Sequence, residues 1–271
     1  MPSADEIKDG QRATWAGLSA GWEKWDSVIM GQLAPVGAAI IDGLDIASGT
    51  GEPGLSIARL SPRGRVVLTD LAAEMLEVAA RRAREQGIAN IETEVCSADD
   101  LPFEDGTFNS VSVRFGYMFF PDMDKATAEF VRVLGPSGRL CSSVWVEPEE
   151  NPWTAIAMRA ISTEAVVAPP DPGGPTMFRC AAPGYVSALY ERAGLHDVTE
   201  WDVDVALVTR SPAQYWEVVS EHVSAVVTAL QQVDGPARER IRAHAIANVR
   251  AFDNGEEVRV PGVARCIVGT K

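Results

Sequence analysis

Basic charge is scarce in this chain: 24 lysines and arginines stand against 38 aspartates and glutamates, a formal net charge of −14. That balance disfavours nucleic acid or an anionic membrane surface as the main partner, because both need a basic footprint. Cysteine is also sparse. Cys96, Cys141, Cys180 and Cys266 form no C-x-x-C pair and stand at no metal-ligand spacing to any of the three histidines, so no metal site is expected. Cys96 and Cys141 fall in apolar, strand-like runs, which suits free thiols in a reducing compartment. Long apolar runs are missing as well. Nothing reaches membrane-spanning length, and Met1–Gly10 is polar and acidic rather than a signal peptide. No internal repeat or low-complexity tract is seen. These absences predict a soluble cytoplasmic protein.

What remains is ample material for one core: 271 residues, 46% of them hydrophobic, read as a single domain with elaborations. The organising stretch is Leu44–Ala58, Leu-Asp-Ile-Ala-Ser-Gly-Thr-Gly-Glu-Pro-Gly-Leu-Ser-Ile-Ala. It reads as the end of a buried strand, a tight glycine turn and the first turns of a helix. Gly49 and Gly51 have no Cβ, so they can take positive φ and let a ligand approach bare backbone. Pro53 suits a first helical turn. Gly49, Gly51 and Gly54 satisfy G-x-G-x-x-G, and Asp70 ends the next apolar run, so a dinucleotide is admissible. The acids point elsewhere. Asp45 enters the loop and Glu52 opens the helix, where two carboxylates would repel a pyrophosphate. S-adenosylmethionine has no phosphate and carries a cationic ammonium and sulfonium, so the loop favours it.

Along the chain, Trp15, Trp22 and Trp25 are spaced seven and three apart, as on one helix face. They either pin the segment to the domain or line a pocket. Strands are expected at Ile40–Ile46, Arg65–Asp70, Ile91–Cys96, Ser110–Phe115 and Arg139–Val146. Helices are expected at Ser56–Leu60, Ala72–Gln86 and Lys125–Leu134. This alternation implies a parallel sheet with right-handed crossovers. Beyond Glu147 the pattern changes. Helices are expected at Pro152–Val167, Pro183–Ala193, Ser211–Val233 and Ala237–Phe252, with a Pro/Gly-rich loop at Pro169–Pro175. His196–Val208 and Val258–Lys271 read as strands.

Five runs, taken in order, carry a resemblance. They are Leu-Asp-Ile-Ala-Ser-Gly-Thr-Gly; Thr-Asp-Leu-x-x-x-Met-Leu; Ala-Asp-Asp-Leu-Pro-Phe-x-Asp-Gly-x-Phe; Arg-Phe-Gly-Tyr-Met-Phe-Phe-Pro-Asp; and Arg-Val-Leu-x-Pro-x-Gly-Arg-Leu. Together they resemble class I S-adenosylmethionine-dependent methyltransferases, nearest in look to the ubiquinone/menaquinone-biosynthesis C-methyltransferases and their small-molecule relatives. The resemblance covers residues 40–146 and weakens beyond Glu147.

It implies an α/β, Rossmann-like seven-stranded sheet, six strands parallel and the last antiparallel, with helices on both faces and a helical lid. Residues 1–39 would be an N-terminal helical cover and 40–146 the cofactor-binding core. Residues 147–257 would complete the core and form the substrate lid, and 258–271 the final strand. The implied cofactor is S-adenosylmethionine. Asp45, Ala47, Ser48, Gly49, Thr50 and Gly51 would cradle its methionine part, and Asp70 its ribose hydroxyls. Leu71 and Met75 would pack on adenine, with Ser97, Ala98 and Asp99 at the adenine edge. Arg114 and Phe115 would lie near the methyl group. Ala47 replaces a glycine common in relatives, and Ser97 replaces an acid, which leaves Asp99 or a backbone carbonyl to take the adenine amine.

Methyl transfer from a sulfonium needs alignment above all, and a base only where the acceptor keeps its proton. His222 is read as a packing residue or a base, and Tyr117 as loop packing or a pocket residue. Trp22, Trp25, Tyr117, Trp145 and Phe178 are the candidates for an acceptor pocket. The expected activity is methylation of a small aromatic or hydrophobic acceptor. The alternatives are a non-catalytic S-adenosylmethionine-binding or regulatory protein and, third, a dinucleotide-dependent oxidoreductase. The acceptor is the expected partner, and a homodimer is compatible with the sequence.

Overall fold

The computed structural model describes residues 2–39, 44–167 and 174–271. The expected beginning of the first strand at Ile40 and most of the Pro169–Pro175 loop lie outside the described residues.

Seven strands form one sheet: β1 Leu44–Ile46, β2 Val66–Asp70, β3 Ile91–Val95, β4 Phe108–Arg114, β5 Leu134–Trp145, β6 His196–Thr209 and β7 Val258–Thr270. Their order is β3-β2-β1-β4-β5-β7-β6. β1 to β5 pair in parallel, and β7 runs antiparallel to both β5 and β6. The expected seven-stranded sheet with a reversed last strand is therefore found. β7 slots between its neighbours, so the order turns back twice, at β1/β4 and at β7. Alternation decides which core each residue of β2 joins. Val66 and Leu68 pack with Leu55, Ile57, Leu76 and Ala79 of the first two crossover helices, whereas Val67 joins the main core.

Ten α-helices are seen among the described residues. α1 Ala4–Lys24 and α2 Asp26–Ala39 precede the sheet. α3 Gly54–Leu60, α4 Ala73–Glu85 and α5 Met123–Val133 are the crossovers. α6 Pro152–Glu164, α7 Tyr185–Arg192, α8 Pro212–His222, α9 Ser224–Gln231 and α10 Gly235–Val249 follow. Ser3 opens α1 through a reciprocal capping box with Glu6. α1 lies against α8 so closely that a Cβ on Gly21 would fall 2.2 Å from the Glu221 carbonyl oxygen.

Two expectations about helices need correction. The tryptophan segment is not one helix, because α1 stops at Lys24 and the Trp25 N–H turns back to the Gly21 and Glu23 carbonyls. Trp25 thereby leaves the face shared by Trp15 and Trp22. The stretch Ser211–Val233 is likewise broken, at an extended Val223. There the His222 ring bonds the Val218 carbonyl at 2.7 Å, the acceptor its own backbone N–H would take in a helix. No described helix is long and apolar enough to cross a membrane.

Candidate functional site

The β1–α3 loop lies at the carboxyl end of the central strands, next to the switch in strand order where open α/β sheets take ligands. Gly49 and Gly51 do adopt positive φ, +53° and +106°. Ala47 adopts φ 52° in the same left-handed region, which favours glycine and strains a residue with a Cβ. Ala47, Ser48, Gly49 and Thr50 line a deep cavity. A Cβ on Gly49 would meet nothing within 4 Å, and the Ser48 hydroxyl is buried with no partner among the described residues.

Two loop residues face away from the cavity. A Cβ on Gly51 would fall within 3.0 Å of Leu55 and Ala79, so Gly51 is a turn packed on α3 and α4 rather than part of the wall. Asp45 is fully buried under the loop. Its carboxyl accepts from the Gly54 N–H at 3.1 Å and the Ser112 hydroxyl at 2.9 Å. It serves the start of α3, where Pro53 provides no side-chain cap. Burial pushes it up to about 7, against the smaller opposing pull of the Ser112 bond. It therefore offers no full charge to a cationic ligand. The acid that lines the cavity at this point is Glu52.

Asp70 ends β2 in the cavity wall. One carboxylate oxygen accepts from the Gly49 N–H and the other from the Ala72 N–H, both at 2.9 Å. Each oxygen keeps a further lone pair for a ligand hydroxyl. Burial raises its affinity for a proton, against those amide bonds. Leu71, Met75, Ser97, Ala98 and Asp99 continue the wall. Asp99 accepts from the Ser97 hydroxyl and pairs with Lys8 at 2.7 Å, with Lys125 at 3.5 Å. Burial alone would raise its carboxyl, but these donors and cations outweigh it and hold it below the usual range. Lys8 and Gln11 bring α1 across this end.

Much of the remaining wall is aromatic. Phe115, at φ 58° where β4 stops, stacks on Trp145 with ring centres 4.2 Å apart. Trp145 meets Trp153 at 5.0 Å, Trp153 lies parallel to His222 at 6.4 Å, and His222 meets Trp22 edge-on at 5.7 Å. Trp22 then touches Trp15 at 6.3 Å, and Trp15 touches Phe119 at 5.1 Å. All seven rings line the cavity. Arg114 lines it too, and its guanidinium donates to the Glu52 carbonyl at 2.7 and 3.0 Å.

His222 is 5% exposed. A carbonyl only accepts, so the bond to Val218 fixes the proton on Nδ1 and leaves Nε2 with a bare lone pair. Burial pushes the ring down to about 4, against the smaller pull of that bond, so it is neutral near pH 7.

Three pocket candidates lie elsewhere. Tyr117 begins a 3₁₀ turn, Tyr117–Phe119, whose successive side chains point about a third of a revolution apart. Phe119 reaches the cavity, while Tyr117 is fully buried against Phe130 and Tyr190, its hydroxyl 3.1 Å from Thr127 Oγ1. Burial pushes that phenol up, away from use as a base. Trp25 donates to Glu221 at 2.8 Å and packs in the core. Phe178 sits in the turn closed by the Arg179 N–H and the Thr176 carbonyl, which sends Met177 to the cavity instead.

Sequence reading missed Lys8, Gln11, Gln32 and Trp153 in the wall. Gln32 left a signal. It is polar at the position between Ile29 and Leu33 on an otherwise apolar helical stripe. Lys8 left none. The four cysteines form no disulfide, and no group of three or more metal-ligating side chains occurs among the described residues.

The sequence model of the ubiE/COQ5 methyltransferase family matches residues 18–159, more than half of the chain. The chain belongs to this family. As a ubiE/COQ5 family member it is 39% identical over 128 residues to the ubiquinone/menaquinone biosynthesis C-methyltransferase UbiE of Brucella anthropi. That match covers 46% of this chain and 49% of the relative. The chain spans about half the length of the curated relatives it matches. Among solved structures, the YcgJ protein of Bacillus subtilis superposes at a TM-score of 0.53 with 22% identity, covering 88% of this chain and 96% of that one. Phosphoethanolamine N-methyltransferase 2 of Haemonchus contortus, solved with S-adenosyl-L-methionine, superposes at 0.51 with 17% identity, covering 100% and 60%. Both structural likenesses speak for the family's fold alone.

Proposed function

We propose that this protein transfers a methyl group from S-adenosylmethionine to a small, planar aromatic or hydrophobic acceptor. One observation carries the reading: a single cavity joins the Gly49–Asp70 corner to the ring-lined end. The names of the family and of its relatives supply the donor, and the residues present fit it. Ser48, Gly49 and Thr50 would hold the methionine part, Ser48 with a hydroxyl that has no other partner. Asp70 would accept from the ribose hydroxyls, Leu71 and Met75 would flank the adenine, and Ser97–Asp99 would meet its edge. When bound, the cofactor supplies an electrophilic methyl on a sulfonium. Glu52 and Asp70 in the same wall favour that cation over a pyrophosphate, which sets the dinucleotide reading aside.

The chain's own contribution is positioning. Trp145, Trp153, Phe115 and Trp22 offer apolar ring surface for a flat acceptor to pack on, and alignment of this kind supplies about 7–11 kcal/mol of a barrier. α1, α6 and α8 close over the site and keep water out. His222 Nε2 accepts a hydrogen bond from an acceptor O–H or N–H, and the neutral ring adds no standing charge. The acidic surface, −14 overall, supports a small molecule rather than nucleic acid as the substrate.

Calorimetry with S-adenosylhomocysteine tests the donor. Binding is expected, with Asp70→Ala weakening it about a hundredfold, or roughly 2.7 kcal/mol. Asp70→Asn separates lost hydrogen bonds from a disordered loop, since it keeps an oxygen for one of the two amides. Incubation with S-adenosylmethionine and a panel of aromatic acceptors should yield S-adenosylhomocysteine. Binding without turnover across the panel would favour a non-transferring binder, and no binding would end the reading.

A further inference from the structure

Two residues that line the cavity, Trp22 and Gln32, each carry a buried hydrogen-bond donor with no partner among the described residues: the indole Nε1 of the first and the carboxamide Nε2 of the second. Gln32 is 2% exposed and stands between Ile29 and Leu33, which also line the cavity. An unpaired buried donor is costly, and folded chains keep few of them. Trp15 shows the contrast within the same helix as Trp22: its indole N–H is satisfied by Gln11 at 3.0 Å. The same cavity is lined by an acceptor of the opposite kind. His222 Nε2 carries a bare lone pair, and the His222 and Trp22 rings meet edge-on at 5.7 Å.

We infer that Trp22 and Gln32 are acceptor-binding residues that donate to oxygens of a neutral, hydroxylated aromatic substrate, whose O–H in turn donates to His222 Nε2. The assignment rests on the methyl-transfer reading, because it places the acceptor in this end of the cavity. It goes further by naming the groups that recognise the acceptor and by stating a selectivity. A ring bearing hydroxyls satisfies both donors and the lone pair. An apolar ring of the same shape strands them, and sites built to bond a hydroxyl reject analogues that lack it. A protonated amine can donate to His222 but cannot accept from Trp22 or Gln32.

The test compares 2,7-dihydroxynaphthalene with 2,7-dimethylnaphthalene, which match in shape, by equilibrium dialysis in saturating S-adenosylhomocysteine. The wild type should bind the diol at least tenfold more tightly. Gln32→Leu and Trp22→Phe, which remove a donor and keep volume or ring, should each erase most of that preference while homocysteine-adduct affinity stays unchanged. A second readout needs no ligand. Gln32→Leu in the free protein should leave the melting temperature unchanged or raise it, since it deletes a polar group that bonds nothing. A fall in melting temperature would show a structural role for Gln32 and overturn its assignment. Equal binding of the two rings by the wild type, or a preference that survives both variants, would overturn the inference as a whole. Failure to bind S-adenosylhomocysteine would instead strike the methyl-transfer reading on which it rests.

Discussion

The two ends of the cavity are built on opposite plans. At the Asp70 end, the polar groups are mostly engaged with one another. Asp70 holds the Gly49 and Ala72 amides, and Asp99 holds Ser97 and Lys8. The wall there comes from strand ends and the short loops that follow them, each a run of neighbours in sequence. At the Trp153 end, the wall is a chain of rings drawn from α1, the end of β4, the end of β5, α6 and α8, with the Trp22 indole N–H left unpaired among them. The first end is preformed by hydrogen bonds within the protein, and the second is held by ring packing.

The comparison predicts that the two ends can be damaged separately. Trp153→Ala should have the largest effect. The indole is 2% exposed, wedged against Trp145 and Gly262, and bonded to Asn151 at 3.1 Å. Its loss should cost about 3–5 kcal/mol in a urea titration. In the folded fraction, affinity for S-adenosylhomocysteine should hold while the aromatic acceptor is lost. A parallel fall in both would mean that the ends act as one unit.

Next comes Asp45, which ties the cofactor loop to the sheet. Its carboxyl is raised from 3.8 to about 7 in the fold. The fold thus binds a proton that the unfolded chain has already released, so this contribution is complete below pH 4 and is lost as pH rises through 7. Asp45→Asn mimics the neutral acid, with its oxygen to Gly54 N–H and its amide to Ser112. It should remove the loss of stability that Asp45 imposes as pH rises through 7 and add up to roughly 4 kcal/mol at the alkaline end. His222 slopes the other way. Its lowered value means stability is complete above 6.5 and falls as pH drops toward about 4, so the variant should expose that acid limb. A wild-type profile that is flat from pH 5 to 8, and left flat by Asp45→Asn, would contradict the charge assigned to Asp45.

The smallest effect should come from Lys8→Ala. The pair with Asp99 is largely shielded, with 18% and 7% of the two side chains exposed. Removing it should weaken S-adenosylhomocysteine binding by about two- to fivefold, or about 1 kcal/mol or less, with reduced salt dependence in the same titration. No change would detach α1 from the cofactor end.

How much of this was legible follows the same division. Gly49, Asp70 and Ser97–Asp99 sit in short runs whose chemistry is local, so reading along the chain grouped residues that the fold brings to one cavity wall. Asp45 sits in the same run and was misread, because its direction depends on strand register. β1 pairs Asp45 with Ser112 of β4, 67 positions away, and turns the carboxyl under the loop. Trp22 and Trp145 were pocket candidates and His222 a packing residue or a base, but no spacing linked the three. Tyr117 and Phe119 could not be told apart, since the 3₁₀ turn alone decides which faces the cavity. Trp153 and Gln32 stayed hidden, as each looks like an ordinary helix residue until α2, α6 and α8 converge.

By itself, the sequence determined the alternation of strands and helices, the glycine turn and the acid that ends β2. Periodicity, positive φ and capping act over a few residues, which is why these could be read from neighbours. Tertiary structure alone decided which side of β1 Asp45 faces, where the tryptophan helix breaks, and which rings line the cavity. Those outcomes depend on register and packing between segments far apart in the chain, and burial then sets the protonation of Asp45 and His222.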